Sequence, residues 1–385
     1  MVLASVLVAL VLAEVALRIV APQRKDFLVW PANIKHVFRP NREVMPAHSE
    51  EAHFSSNSRG LRGPETGPDA EARVLAIGGS TTECLYIDEA SAWPLRLSRL
   101  LATGGRQVWS GSAGLSGLNS GDHVIHAKFL VPRLPRIDVV VALMGVNDLA
   151  VALGAPDTYR AVPADIVDHP SEPLLRRAFQ QVPGRLENSW DYEAGPLRAT
   201  AIYQLLRKIK IGRARQMASA NIANDDGGLA MLSWRENRQK ATELIDALPD
   251  MKAPLATYRN NIESFVDALR AQKIRVILIT QPTLWRADLS EAEQKLLWMG
   301  GKGDFMHTRG LPYFTPRALA EGMQAFNETM LAVCKERGVE CVDLAAMIPK
   351  NADNFYDDCH FGFRVSEKIA DIVADAVKKG PPFTP

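Results

Sequence analysis

Short apolar runs alternate with helical patterns along two separated parts of the chain. Runs of this kind, bounded by Gly, Ser or Asn, are typical of strands buried on both faces of a parallel sheet. The predicted strands are Val74–Gly78, Gln107–Ser110, Val139–Met144, Ile274–Thr280 and Cys341–Leu344. The predicted helices are Ala92–Ala102, Asp122–Phe129, Tyr258–Gln272, one that ends near Arg337, and Val365–Lys378. The pattern therefore predicts an α/β fold with a central parallel sheet of about five strands and helices on both faces.

Two stretches do not follow this alternation. Residues 22–70 contain six prolines and no sustained period, which predicts an extended arm. Within the arm, Asn57–Gly63 is rich in turn residues and is either a motif that lies against the domain near its site or a surface loop. Residues 151–255 are predicted to form a mostly helical insertion or cap, so the core consists of residues 71–150 and 256–385.

Inside the insertion, helical patterns occur near Ala199–Ile211 and Leu232–Leu248. A basic stretch at Arg207–Arg215 could contact an anionic substrate or lipid headgroups, but a solvated helix face is the simpler interpretation. The chain shows no internal repeat and no low-complexity segment.

Residues Val2–Ala21 are almost wholly apolar and numerous enough to span a bilayer as a helix. Glu14 and Arg18 interrupt this run four residues apart, where they share a helix face and can pair. A cleavable signal peptide is less well supported because no small-x-small cleavage site ends the run. A buried or amphipathic helix is the third interpretation. The sequence thus predicts a membrane anchor over residues 1–21.

Two features of the sequence disagree about the side of the membrane on which the domain lies. Arg24 and Lys25 come just after the apolar run, so the positive-inside rule would keep the domain in the cytoplasm. The cysteines argue for the opposite side, because an even number with plausible pairs fits an oxidising compartment. Small buried hydrophobic thiols are the alternative. We expect an extracytoplasmic domain on the periplasmic side. The candidate pairs are Cys334 with Cys341, and Cys84 with Cys359.

Composition excludes two classes of protein. The chain has 385 residues, of which 47% are hydrophobic, and this is enough for a buried core rather than a disordered chain. The net charge is +1 and no long run of Lys and Arg occurs, which argues against a nucleic-acid partner.

A serine and a histidine occur where catalysis would need them. Ser80 follows Gly78 and Gly79 at the carboxyl end of the first predicted strand, where open α/β sheets place their ligands. A tight turn or a phosphate-binding turn are the alternatives for the segment that contains Ser80.

Asp357 precedes His360 by three residues, so its carboxylate can hold Nδ1–H while Nε2 takes a proton from a hydroxyl. Asp358 is the rival for this role, but adjacent side chains diverge.

Two further residues could stabilise a developing oxyanion. The side-chain amide of Asn147, at the end of the third strand, can donate to such an oxygen. Gly114, in the segment after the second strand, would let its backbone N–H approach a ligand closely. Because crossovers between parallel strands are right-handed, these strand ends are expected along one edge of the sheet.

Four blocks in this order resemble the SGNH (GDSL-like) hydrolase family, whose members act mostly on esters. The resemblance covers roughly residues 71–150 and 256–380, and it implies a flavodoxin-like α/β/α sandwich. The apolar N-terminal run, Asn57–Gly63 and Thr280–Trp285 resemble a bacterial, membrane-anchored branch. One position departs from the family pattern, since Gly79 stands where an Asp is expected. The blocks are Gly78-Gly79-Ser80, Gly114, Gly145-Val146-Asn147-Asp148, and Asp357 with His360.

The resemblance implies a role for each of these residues. Ser80 would be the nucleophile, His360 the general base and then acid, and Asp357 the group that orients the imidazole. The oxyanion hole would consist of the N–H groups of Ser80 and Gly114 and the side chain of Asn147. No metal or cofactor is needed, and the remaining histidines show no metal-ligand spacing (His123, His126 and His307 among them).

The leading hypothesis is a serine esterase that removes acyl groups, acetyl among them, from a glycan, glycolipid or lipid through an acyl-enzyme. An O-acyltransferase that uses the same triad with a sugar hydroxyl as acceptor is the first alternative. A thioesterase or lysophospholipase is another, in which Trp285, Trp298 and Tyr313 would receive the chain, although such aromatics are more often core residues. A non-catalytic envelope protein that binds a glycan is the alternative from a different class.

Overall fold

The computed structural model describes residues 29–30, 32–46, 48–154 and 228–384, together with Ser5, Ala9 and residues 12–17. Most of the predicted anchor therefore lies outside the described residues, as do the predicted helix at Ala199–Ile211 and the basic stretch that overlaps it. Among the described residues, no helix has both the length and the apolar character needed to cross a bilayer.

The chain divides into two compact units. One consists of Met1–Asp26 with Glu187–Asp226, and the other of Phe27–Leu186 with Gly227–Pro385. The sheet, its helices and the candidate site all belong to the second unit.

Nine strands occur in the described part of the second unit, and five of them form a parallel sheet in the order β4-β3-β5-β7-β9. Counted within the sheet, this is the 2-1-3-4-5 order of flavodoxin-like folds. Every residue of β3 is buried, as expected for a strand covered on both faces. The strands are β1 (Lys35–Phe38), β2 (Ala52–Ser55), β3 (Ala72–Gly78), β4 (Val108–Ser112), β5 (Val139–Leu143), β6 (Leu244–Ile245), β7 (Arg275–Ile279), β8 (Tyr313–Phe314) and β9 (Glu340–Val342). The five strands predicted from the apolar runs are confirmed.

The helices flank this sheet in two layers. The layer on one side contains α2 packed against α10, and the other contains α6 packed against α3 and α8. In the described part of this unit, the α-helices are α1 (Ser80–Glu83), α2 (Trp93–Leu101), α3 (Ser120–Ile125), α4 (Val146–Gly154), α5 (Ala230–Gln239), α6 (Lys252–Ala271), α7 (Glu291–Gln294), α8 (Pro316–Arg337), α9 (Leu344–Met347) and α10 (Phe363–Lys378). Short 3₁₀ or π turns lie at Thr103–Gly105, His126–Leu130 and Val131–Arg133.

Local sequence explains where the long helix α8 begins and ends. The Thr315 hydroxyl accepts a hydrogen bond from the N–H of Ala318, and Pro316 occupies the first helical position, where no N–H is needed. Gly338 follows the helix with φ +56°, the left-handed conformation that ends many helices. The predicted end near Arg337 is therefore confirmed.

The helix predicted at Leu232–Leu248 is wrong in its second half. Helix α5 ends at Gln239, and Leu244 and Ile245 pair in parallel with Tyr313 and Phe314 instead. The apolar spacing suits a helix, but this pairing gives the backbone groups of the segment hydrogen-bond partners from a distant part of the chain. Such a partner is invisible to local periodicity.

The arm before the core has more structure than its prolines suggested. Strands β1 and β2 form an antiparallel hairpin, with Lys35 opposite Ser55 and Phe38 opposite Ala52. Farther along, the backbone N–H of Arg62 donates to the carbonyl of Ser112 at 2.8 Å, so the arm extends the edge of the sheet beside β4.

The cysteines fall into two classes. Cys334 and Cys341 form a disulfide between α8 and β9, with Cα atoms 6.2 Å apart, as the predicted pairing requires. Cys84 and Cys359 are free thiols, and both are buried, so the second candidate pair is wrong.

Candidate active site

Three side chains form one hydrogen-bonded chain at the carboxyl edge of the sheet. Ser80 is the first residue of α1, directly after β3, and its Oγ lies 2.6 Å from His360 Nε2. His360 Nδ1 lies 2.7 Å from Asp357 Oδ2. The structure therefore brings together the three residues that the sequence singled out, in the order hydroxyl, imidazole, carboxylate. This order leaves Nε2 facing the hydroxyl as a proton acceptor.

Asp357 is fully buried and held by four hydrogen bonds. Besides His360 Nδ1, it accepts from Trp298 Nε1 at 2.9 Å and from the backbone N–H groups of Cys359 and His360 at 3.0 and 2.8 Å. Burial by itself raises the pKa of this carboxyl, but the charge of His360 and the hydrogen bonds outweigh it and lower the pKa. Asp357 is therefore ionised at neutral pH.

The negative charge of Asp357 in turn changes the pKa of the imidazole. Burial by itself lowers the pKa of His360, but the Asp357 carboxylate outweighs it, so the pKa is raised well above 6.5. His360 is accordingly a stronger base than an isolated histidine.

Asp358, the alternative candidate for orienting the imidazole, accepts hydrogen bonds from other residues instead. Its carboxylate accepts from Trp285 Nε1 at 2.7 Å and from the N–H groups of Trp298 and Met299 at 2.7 and 3.1 Å. Burial and the neighbouring charge of Asp357 raise the pKa of Asp358. The two adjacent carboxyls thus diverge, and the one that contacts the imidazole is Asp357.

Trp298 has a contact that neither interpretation from the sequence, an acyl-chain contact or a core residue, predicted. Its indole N–H donates to Oδ2 of Asp357, the same oxygen that His360 contacts. The local sequence offers no signal for this contact, since Trp298 lies 59 residues before Asp357.

Asn147 lies in the first turn of α4, and its Nδ2 donates to the carbonyl of Leu118 at 2.7 Å. A side-chain amide has two N–H groups, so this bond uses one of them. A Cβ added at Gly79 would lie only 2.6 Å from Asn147 Nδ2. The glycine that departs from the family pattern therefore leaves room for this amide beside Ser80.

The expectation for Gly114 is not supported by the geometry. Its N–H donates to Ser112 Oγ at 3.0 Å, and a Cβ there would lie 2.4 Å from the backbone nitrogen of Glu83. Gly114 thus allows the loop after β4 to pack closely on α1, and it does not line the cavity beside Ser80.

Gly117 occupies the position expected of Gly114. It lines the cavity with Ser80 and Asn147, in a β-turn closed by a 3.3 Å bond from Leu118 N–H to the carbonyl of Leu115. Its φ of +84° is the value a type II turn places on its third residue. Both glycines lie in the segment singled out from the sequence, and only the tertiary packing distinguishes them.

A cavity of about 380 Å³ opens at Ser80 and His360. Its lining includes Ser116, Gly117 and Asn147 beside these two residues, and the wall as a whole is mainly apolar. Helix α5 contributes part of that wall, so the predicted insertion reaches the site. The apolar lining includes Met231, Trp234, Trp298, Met299, Phe305 and Met306.

The Asn57–Gly63 motif lies against the core near the site. Arg62 is 1% exposed and donates to the carbonyls of Glu83, Cys84 and Ile87 at 2.6–2.7 Å. Its guanidinium also lies 4.6 Å from the ring centre of Phe54. Because the last carbonyls of a helix lack partners within the helix, Arg62 stabilises the end of α1.

The two free thiols, Cys84 and Cys359, also line the cavity. Burial raises the pKa of both Cys84 and Cys359 to about 11, so each stays a thiol at neutral pH. Within the described ranges, one group of side chains could surround a metal ion, and it consists of Asp357, Cys359 and His360. Their donor atoms lie within 4.8 Å of one another, so an ion there would compete with the Asp357–His360 bond.

Comparison with known proteins places the chain in a family. Residues 76–366 match the model of the GDSL-like Lipase/Acylhydrolase family. No curated protein matches the sequence.

Similar solved structures include the psychrotrophic esterase EstA from Pseudoalteromonas sp., with 10% identity, a TM-score of 0.40, and coverage of 80% of this chain and 98% of that one. A GDSL-like lipase from Bacteroides thetaiotaomicron shows 14% identity, a TM-score of 0.37, and coverage of 82% and 90%. Est24, a carbohydrate acetylesterase from Sinorhizobium meliloti, shows 11% identity, a TM-score of 0.35, and coverage of 80% and 99%. Similarity at this level says nothing about the substrate. The family model, in contrast, spans well over half of the chain and includes Ser80, Asp357 and His360, so the protein belongs to the GDSL-like lipase/acylhydrolase family.

Proposed function

We propose that the protein is a serine ester hydrolase that works through an acyl-enzyme. The observation that carries this proposal is the hydrogen-bonded chain from Ser80 through His360 to Asp357, whose serine and histidine line a mainly apolar cavity. A buried, ionised carboxylate behind the imidazole is the arrangement that lets a histidine take the proton of a serine hydroxyl.

The reaction follows from this geometry in two steps. Ser80 Oγ attacks the ester carbonyl carbon while its proton passes to His360 Nε2, and the carbonyl electron pair moves onto oxygen. When that pair returns, the bond to the leaving alkoxide breaks, and the alkoxide takes the proton from His360. Water then repeats the sequence on the acyl-enzyme and releases the carboxylic acid and Ser80.

The negative oxygen formed in each step needs hydrogen-bond donors. In the described part of the chain, the N–H groups of Ser80 and Gly117 make no hydrogen bond, and both residues face the cavity with Asn147. We assign the oxyanion hole to these two N–H groups and the second N–H of the Asn147 amide. Removal of one such donor typically costs about 3 kcal/mol of transition-state stabilisation.

The cavity favours a hydrocarbon acyl group longer than acetyl. A 150 Å³ apolar cavity holds benzene, with six carbons, so about 380 Å³ accommodates on the order of fifteen non-hydrogen atoms, including the ester. Each buried methylene contributes about 0.8 kcal/mol, which corresponds to roughly fourfold in kcat/KM. The substrate class proposed is therefore a medium-chain acyl ester of a lipid, glycolipid or glycan.

Hydrolysis of p-nitrophenyl acetate, butyrate and octanoate by the full-length protein in detergent tests these statements. We expect release of p-nitrophenol that increases with chain length and disappears in Ser80→Ala. Hydrolysis that persists in Ser80→Ala would exclude the proposed nucleophile. Equal rates for all three esters would exclude the proposed acyl subsite, and acyl groups recovered on an added sugar would identify a transferase instead.

We also propose that residues 1–21 anchor the protein and that the domain lies outside the cytoplasm. The apolar run supports the anchor, and the Cys334–Cys341 disulfide supports an oxidising compartment. Protease treatment of intact spheroplasts tests the orientation, and digestion of the domain is the expected result. Protection in intact spheroplasts with digestion after lysis would show the opposite orientation.

A further inference from the structure

Glu83 is a buried carboxyl that the proposed mechanism does not use. It is the last residue of α1, three positions after Ser80, and it is 1% exposed. Its Oε1 accepts from Trp30 Nε1 at 2.9 Å, and its Oε2 accepts a hydrogen bond from the hydroxyl of Ser116. The carboxylate therefore connects the nucleophile helix to two other segments of the chain.

One of these segments is the turn that carries a proposed oxyanion donor. Ser116 immediately precedes Gly117 in the turn from Leu115 to Leu118. The ends of this turn are bound by Leu115 N–H to the carbonyl of Gly78 at 3.2 Å, and by Asn147 to the carbonyl of Leu118 at 2.7 Å. The contact of Ser116 with Glu83 fixes the middle of the turn, next to the N–H that faces the site.

The other segment is the N-terminal arm, which contacts Glu83 through two residues. Trp30 binds its carboxylate, and Arg62 donates to its backbone carbonyl at 2.7 Å. A buried carboxyl is costly unless it is hydrogen-bonded, and an apolar side chain of similar size could fill the same space. What an apolar side chain could not do is bind the Ser116 hydroxyl and the Trp30 indole at once.

From these contacts we propose that Glu83 is a positioning residue, which holds the turn containing Gly117 at the distance from Ser80 that the oxyanion requires. The inference rests on the proposed esterase function. It also assigns a role to the arm, which keeps Glu83 in place through Trp30 and Arg62.

Steady-state kinetics of full-length variants at Glu83 and Trp30, measured with p-nitrophenyl butyrate, test the proposal. We expect Glu83→Ala to lower kcat by roughly ten- to a hundredfold with little change in KM, below the 10²- to 10³-fold effect of losing an oxyanion donor outright. Glu83→Gln should recover most of the loss, since its amide can accept from Trp30 and donate to Ser116. Trp30→Phe removes one indole donor and should give an intermediate loss.

Trp109→Phe is the matched control. Trp109 Nε1 also binds the arm, where it donates to the carbonyl of Pro64 at 3.1 Å and not to Glu83. We expect wild-type kcat in this variant. A loss of kcat equal to that of Trp30→Phe would show that any loosening of the arm has the same effect, and would overturn the assignment to Glu83.

A double-mutant cycle shows whether Glu83 acts through Ser116. If it does, Glu83→Ala added to Ser116→Ala lowers kcat little further, whereas multiplicative losses would overturn the proposal. Should Glu83→Ala fail to fold, Ser116→Ala and Trp30→Phe carry the same test, and wild-type kcat in both would overturn it.

Labelling of Ser80 by a fluorophosphonate separates this proposal from the function on which it rests. If the wild-type protein is neither labelled nor active, both the esterase function and the positioning role of Glu83 are refuted. A labelled, active wild type with unchanged kcat in Glu83→Ala removes the positioning role alone.

Discussion

The contact of Trp298 with Asp357 leads to a prediction that separates a catalytic contribution from simple packing. Trp298→Phe removes the indole N–H, which lies 2.9 Å from Asp357 Oδ2, and keeps an aromatic ring in the wall shared with Trp234, whose ring centre is 4.8 Å away. The change deletes one of the four donors that hold the carboxylate.

The magnitude follows from the character of this bond. A hydrogen bond to a charged group contributes about 1.5–3 kcal/mol. If roughly half of that is expressed in the transition state, through the orientation of His360, kcat/KM falls by about four- to twelvefold. The loss should stay far below the roughly 10⁴-fold effect of neutralising a triad aspartate, because Asp357 itself is retained.

The pH dependence gives a second signature. Catalysis requires neutral His360, so kcat/KM rises as the pH increases through the pKa of this imidazole. Without the indole donor, the negative charge of Asp357 is less dispersed and attracts the imidazolium more strongly. The acidic limb of kcat/KM in Trp298→Phe should therefore lie at higher pH than in the wild type.

Trp285→Phe is the matched control, because Trp285 Nε1 donates to a buried carboxylate next to the triad, that of Asp358, at 2.7 Å. Both variants should lower the free energy of unfolding by a similar amount in urea titrations. Only Trp298→Phe should reduce kcat/KM and move its acidic limb. Equal kinetic losses in the two variants, with no movement of the limb, would refute the reasoning.

Four further predictions concern the same site. Gly79→Ala places a Cβ 2.6 Å from Asn147 Nδ2, so we expect kcat to fall about tenfold with unchanged KM. Wild-type kcat in this variant would show that catalysis does not need the Asn147 amide beside Ser80. In the wild type, the acidic limb of the pH profile of kcat/KM should lie well above 6.5, since the pKa of His360 is raised; a limb at or below 6.5 contradicts this. Gly114→Ala puts a Cβ 2.4 Å from the backbone nitrogen of Glu83, so urea titration should show a free energy of unfolding that is lower by about 1–3 kcal/mol. An unchanged urea midpoint would mean that the loop can move to make room for the methyl group. Burial raises the pKa of Glu83 from 4.5 to about 7, so the folded state favours its neutral form. The free energy of unfolding should therefore fall as the pH rises from about 4.5 to about 7, by up to about 3 kcal/mol relative to Glu83→Gln. If the free energy of unfolding depends on pH in the same way in both proteins, the pKa of Glu83 is not raised.

Some features of this protein follow from the sequence by itself. The five sheet strands are continuous apolar runs, and a strand buried on both faces leaves that pattern wherever it occurs. Ser80 and Asn147 are recognisable because each follows such a run, and Asp357 and His360 because their separation of three residues is local. Parallel strands with right-handed crossovers then bring these residues to one edge without further information.

Other features depended on the tertiary structure. The sequence pointed to Gly114, but the turn that faces the cavity carries Gly117, and the difference arises from how the loop packs on Glu83. Trp298 likewise contacts Asp357 from a segment without any periodic or spacing signal. The motif that contains Arg62 was recognisable in the sequence, but the carbonyls that Arg62 binds were not.

The physical reason is the same in each case. A buried N–H, guanidinium or carboxylate must find a partner, but any segment of the chain can supply it, and the choice is made only when the segments pack. Local patterns therefore determined the sheet and the hydroxyl, imidazole and carboxylate at its edge. Packing between distant segments decided which donors surround them.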